Sequence, residues 1–77
     1  MSSRLPQLSS RQLIALLRKA GFREKADSPK HIALVHPDGR HTEVPAHPGD
    51  VKRGLAQKIL FKDCRLSRQE VLTLLRR

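Results

Sequence analysis

Tryptophan and tyrosine are absent from the chain, and phenylalanine occurs only as Phe22 and Phe61. Aromatic platforms on which successive bases of a single strand could stack are therefore almost missing. A lone cysteine, Cys64, excludes an intramolecular disulfide framework and fits a reducing compartment. Acids are also few: seven Asp and Glu stand against sixteen Lys and Arg. Those in the middle of the chain, Asp27, Asp38, Glu43 and Asp50, are scattered. Divalent-metal chemistry on phosphodiesters usually gathers several carboxylates, which disfavours a metal nuclease. No Gly-rich phosphate loop and no Ser-His-Asp set is written here. No apolar run approaches a membrane span, and Met1 to Leu8 contain no signal-peptide core. A cytoplasmic protein with no membrane role is the expectation.

What is present is a chain of 77 residues with a net charge of +9. That length predicts a single domain over residues 1–77, with 1–8 as a loose N-terminal segment. The basic excess predicts a polyanionic partner, and RNA suits it better than a membrane surface because no aromatic-anchored amphipathic helix stands out. Recognition would run through phosphates, sugar hydroxyls and shape.

The elements read clearly at both ends. Ser9 with Gln12 makes a capping box, flanked by Leu8 and Leu13 as a hydrophobic staple. Leu13, Leu16, Leu17 and Ala20 then form one apolar stripe, closed by Gly21. In the middle, His31 to His36 reads as a strand, Pro37 to Arg40 as a turn, and Thr42 to Val44 as the returning strand. The expected register sets Leu34 opposite Val44 and His36 opposite Thr42, with Asp38-Gly39-Arg40 as the loop. Ile32 and Leu34 would face the core, leaving His31, Ala33 and Val35 on the other side. A further strand near Phe22 to Lys25 is weakly written. From Asp50 the helical period returns through Val51, Leu55, Ala56, Ile59 and Leu60. Ser67 with Glu70 repeats the capping box ahead of Val71, Leu72, Leu74 and Leu75. The expected order is helix, two or three strands, then two helices able to cover one sheet face, an α+β arrangement.

Histidines at 31, 36, 41 and 47, together with Cys64, invite a zinc reading. The spacing argues against it: no Cys-x-x-Cys or His-x3–5-His pair sits on a suitable turn or helix. No metal and no cofactor is expected. Cys64 reads as a small, partly buried residue, His36 as a hairpin-shaping residue, and His41 as exposed. Histidine as a general acid or base is the remaining route to chemistry. RNA needs little else, since its 2′-hydroxyl is a built-in nucleophile.

The run His31-Ile-Ala-Leu-Val-His36-Pro-Asp-Gly-Arg40, followed by Val44-Pro-Ala-His-Pro-Gly-Asp-Val-Lys-Arg-Gly-Leu55 and Lys58-Ile-Leu60, resembles the HicA family of bacterial toxins. The likeness runs from Leu13 to Leu75 and includes a Ser-x-x-Leu-Ile-x-x-Leu opening from Ser10. It implies a small fold like the double-stranded-RNA-binding domain, α-β-β-β-α, here with an extra C-terminal helix. It implies an mRNA interferase, a metal-independent endoribonuclease, restrained by a HicB-type antitoxin. His31 falls at the position of the family's catalytic histidine. The family usually presents that residue after Gly-Ser or Gly-Gly, where this chain has Pro29-Lys30. The alternative is therefore a non-catalytic basic RNA-binding module of the same fold. Charge and placement nominate Lys30, Arg40, Lys52 and Arg53 for phosphate contact, and the apolar pair Ala33 and Val35 for the antitoxin interface.

Overall fold

The computed structural model describes residues 5–27 and 30–76. The order is α1 (Ser10–Lys19), β1 (Arg23–Asp27), β2 (His31–Val35), β3 (His41–Pro45), α2 (Arg53–Gln57) continuing into a π-helical stretch (Lys58–Asp63), and α3 (Arg68–Arg76). This is the α+β order read from the sequence, with β1 present and a third helix at the end.

The first helix starts as its sequence dictates. Ser9 Oγ accepts from the Gln12 amide at 3.1 Å, and Gln12 Oε1 accepts from the Ser9 amide at 2.9 Å. Two of the first turn's orphan donors are thereby satisfied. Leu13, Leu16 and Leu17 are buried, and the chain leaves the helix at Gly21 with φ +102°. The last helix repeats the device through Ser67 and Glu70, at 2.8 and 3.0 Å.

The three strands form one antiparallel sheet in the order β1-β2-β3. Leu34, Thr42 and Val44 point from it into the core and are fully or almost fully buried, with Ile32 half-buried beside them. Burying side chains such as Leu34 contributes about 1.5–3 kcal/mol each. Thr42 takes its hydroxyl into that core at little cost, because Oγ1 donates to Asp63 Oδ2 at 2.9 Å.

The hairpin corrects the expected register. Leu34 pairs with Thr42, Ile32 with Val44 and His31 with Pro45, two residues away from the expected alignment. The faces survive, since a shift of two preserves side-chain alternation. The cause is Pro37. In the expected register it would lie in the ladder opposite His41 without an amide proton to offer. Instead it occupies a tight turn in which Gly39 N–H donates to the His36 carbonyl at 2.9 Å. His36 N–H then donates to Arg40 O at 2.8 Å, and Gly39 takes φ +100°.

Arg40 locks this turn to the rest of the molecule. Its Nε donates to Asp38 Oδ2 at 2.8 Å, its Nη1 to the Cys64 carbonyl at 2.5 Å, and its guanidinium lies 5.3 Å from the Phe22 ring centre. His36 packs edge-on to the same ring, with centroids 5.0 Å apart.

Two further expectations are corrected. Residues 5–8 are not loose: Leu5 and Leu8 join the core, Leu8 O accepts from the Val51 amide at 2.8 Å, and Gln7 Nε2 donates to Val51 O at 3.1 Å. Residues 1–4 lie outside the described residues. Leu55 is not a core residue but is 37% exposed. The helix begins only at Arg53, and its buried line runs through Ala56, Ile59, Leu60 and Cys64. The π-helical widening, visible in the Cys64 amide bonding back to Ile59 O at 2.9 Å, keeps Ile59 and Leu60 inward together.

Two stability predictions follow from these contacts. At Gly21 a Cβ would fall 2.8 Å from His36 Nε2, on a backbone that side chains rarely adopt. Gly21→Ala is expected to lower unfolding free energy by about 1–3 kcal/mol in urea titration; an unchanged midpoint would show that the turn can adapt. The Ser67 amide bonded to Glu70 holds that carboxyl below its ordinary value of 4.5. Its contribution is therefore present above the ordinary value and lost as pH falls through the lowered one. The stability gap between the parent chain and Glu70→Gln should be open at neutral pH and narrow as the pH falls below 4.5, measured by thermal unfolding.

Candidate functional site

One side of the sheet is packed and the other is left open. The open face presents His31, Ala33 and Val35 from β2 and, opposite them, Pro45, Glu43 and His41 from β3. None of these six side chains is buried, whereas Leu34, Thr42 and Val44 on the packed face all are. Backbone alternation alone produces that contrast.

His31 stands at the start of β2, exposed. Lys30 precedes it, also exposed, and its carbonyl accepts from the Ala46 amide at 2.9 Å. That bond fixes the entry of β2 against the exit of β3. Ala33 and Val35 are half-buried, flanked by Glu43 and His41 across the ladder.

His31 also lines a cleft of about 380 Å³ along the β3 edge. His41, Glu43, Leu55, Lys58 and Asp63 share it. Lys58 Nζ lies 3.5 Å from Asp63 Oδ2, and the ammonium remains largely in solvent. The structure thus groups two histidines, two carboxylates and a cation around one concavity. A larger cleft of about 500 Å³ opens between α1 and the packed side of the sheet. Arg11, Arg18 and His47 border it, but Arg18 is tied to Glu24.

The remaining residues singled out in the sequence are dispersed. Lys52 and Arg53 are exposed where α2 begins, outside the cleft that holds His31. Arg40 is half-buried and engaged with Asp38, Cys64 and Phe22. Its neighbour Asp38 is held below the usual carboxylate range, first by the Arg40 backbone amide. Cys64 is buried, and loss of solvent together with nearby Asp63 pushes its thiol up to about 12. It stays protonated at neutral pH and has no nucleophilic character. Among the described residues, no three His, Cys, Asp or Glu side chains cluster as a metal site requires. No helix among them is long and apolar enough to cross a membrane.

Sequence reasoning missed Glu43, Leu55 and Lys58 as neighbours of His31. The expected register caused the first omission: it would set His31 opposite His47 and carry Glu43 up to Val35. With the observed register, simple alternation along β3 places Glu43 on the His31 face, diagonal to it. Leu55 was hidden by its fit to an apolar stripe that the helix does not use.

Residues 10–66 match the family model described as HicA toxin of bacterial toxin–antitoxin. No curated protein matches the chain. The matched region begins at the first helix, carries the whole hairpin with His31, and ends after the π-helical stretch. With well over half of its length covered, and with three helices and a three-stranded antiparallel sheet, this chain belongs to the HicA family of bacterial toxins.

Proposed function

We propose that the protein is a metal-independent endoribonuclease that cleaves mRNA, with His31 as the proton-transferring group and a HicB-type antitoxin as its restraint. The observation that carries this reading is the placement of His31: exposed at the start of β2, on an uncovered sheet face, in a cleft with Lys58. An imidazole there can reach a phosphodiester without any rearrangement of the core. Lys30, Lys52 and Arg53 add exposed positive charge for the backbone of the substrate. RNA supplies its own nucleophile, so proton transfer is the main task left to the protein, worth about 10²–10⁴-fold in rate.

Cleavage of RNA should continue in excess EDTA and stop when the 2′-hydroxyl at the cut site is replaced by hydrogen. Activity lost in chelator and restored by magnesium, or robust cutting of DNA, would sink the reading. The second reading, a module that binds RNA without cutting it, draws on Pro29-Lys30, of which Pro29 lies outside the described residues. Binding without cleavage by the parent chain is the result that would favour it.

The same face supports the partner assignment. Ala33 and Val35 offer a small apolar surface, and Arg23 opposite Val35, with Lys25 in the same depression, would give an acidic partner complementary charge beside it. Ala33→Arg should weaken antitoxin affinity at least tenfold, whereas His31→Ala should abolish RNA cleavage and leave antitoxin affinity largely intact. Isothermal titration with the cognate antitoxin reads the first effect and gel-based cleavage the second. Undiminished affinity of the Ala33→Arg chain would place the antitoxin elsewhere.

A further inference from the structure

We propose that Glu43 is the general base of the cleavage and that His31 is its general acid. This assignment rests on the ribonuclease reading above and adds to it the missing second group.

Transesterification of RNA needs two proton transfers on opposite sides of one phosphorus. A base removes the proton of the 2′-hydroxyl, and the 2′-oxygen forms a bond to phosphorus. The bond from phosphorus to the 5′-oxygen breaks, and an acid protonates that oxygen as it leaves. The products are a 2′,3′-cyclic phosphate and a 5′-hydroxyl, with Glu43 now carrying the proton and His31 having lost one. Exchange with water restores both groups.

Each group must come within about 2.6–3.2 Å of its own oxygen, so the two must stand close together across the reacting phosphate. The hairpin register decides which residue can partner His31. His31 is level with Pro45, and Glu43 is the next same-face residue along β3. Diagonal neighbours of this kind lie about 7–8 Å apart at Cα, within reach of long side chains. Two other candidates share the cleft: Asp63 is already engaged by Lys58 and Thr42, and His41 lies four positions from Pro45. That separation amounts to about 13 Å of strand, too wide a span for two short imidazoles to serve one phosphorus comfortably. The geometry selects Glu43.

The surroundings of Glu43 agree with a free base. It is exposed, and among the described residues it takes part in no ion pair. Glu24, Asp38 and Asp63 are each engaged by a cation and Glu70 by its helix cap, while Asp50, equally without an ion pair among the described residues, lies outside the cleft that holds His31. The charged and titratable groups around Glu43 are His31 and His41 on the sheet, Lys58 and Asp63 from the π-helical stretch, and Lys25 and His36 across the neighbouring depression. Lys58 is placed to meet the phosphate oxygens that gain charge as the new bond forms.

The test uses the full chain and two substrates: a short RNA, and a uridine 3′-(4-nitrophenyl phosphate), whose nitrophenolate departs without a proton. Glu43→Gln, an isosteric change at an exposed position, should lower turnover of both substrates by about 10²–10⁴-fold. It should also remove the ascending acid limb of the pH–rate profile. His31→Ala should lose the same factor on RNA but less than about tenfold on the aryl ester, because only a general acid is dispensable there. Unchanged turnover in Glu43→Gln would overturn the proposal. Equal losses on both substrates in His31→Ala would reverse the assignment and overturn it likewise. A parent chain that cleaves neither substrate would instead overturn the ribonuclease reading, and this proposal with it.

Discussion

Arg40 joins three parts of the molecule that the chain order keeps apart. It closes the hairpin through Asp38, reaches the carbonyl of Cys64 just past the π-helical stretch, and lies over the Phe22 ring where α1 hands over to β1. Hydrogen bonds from a charged donor to groups of this kind are worth about 1.5–3 kcal/mol each, a large share of the stability of so small a domain. The consequence is geometric as much as energetic. With Arg40 anchored at both ends, the turn is held at Pro37-Asp38-Gly39, and every pairing between β2 and β3 is then determined. Which side chains stand beside His31 is decided at the far end of the hairpin.

The sheet has one packed face and one open face, and the two have different work. Leu34, Val44, Ile59, Leu60 and the stripe of α1 share a single core. The open face contributes little to it, so its residues are free to be polar, charged or reactive without cost to the fold. A histidine at the start of a strand also gains from the ladder: His31 is paired with Pro45, and the next residue, Ile32, is paired with a strand on each side, which loops cannot offer. The price of that arrangement is an apolar remnant at Ala33 and Val35, and a partner that covers it also covers His31.

The sequence made the helix starts legible because capping is a local matter. Ser9 with Gln12 and Ser67 with Glu70 each specify their own neighbours three residues away. The faces of β2 were legible for a similar reason, alternation requiring only a strand. Register was not. It depends on where the turn closes, and that is set by Pro37's missing amide together with an arginine whose partner, the Cys64 carbonyl, is 24 residues away. The helical stripe through Val51, Leu55 and Ile59 failed likewise: a late helix start and a π-helical widening rotate the buried line, and neither leaves a mark in the apolar period. His31 itself was found through the family likeness, while its neighbours had to wait for the fold.

The shortage of acid in this chain sharpens the meaning of each carboxylate that remains. A domain with a net charge of +9 gains stability by pairing its few acids with nearby cations, and Glu24, Asp38 and Asp63 do so. Glu43 stands in a cleft with Lys58, a cation that is itself bound to Asp63. Among the described residues no cation pairs with the Glu43 carboxylate, which forgoes an available Coulombic gain, modest at an exposed site. On the open face that gain would also occupy the oxygens a proton acceptor needs. Asp63 resolves the conflict from the packed side: by engaging Lys58 and Thr42 together, it holds the ammonium at the cleft while leaving Glu43 unclaimed.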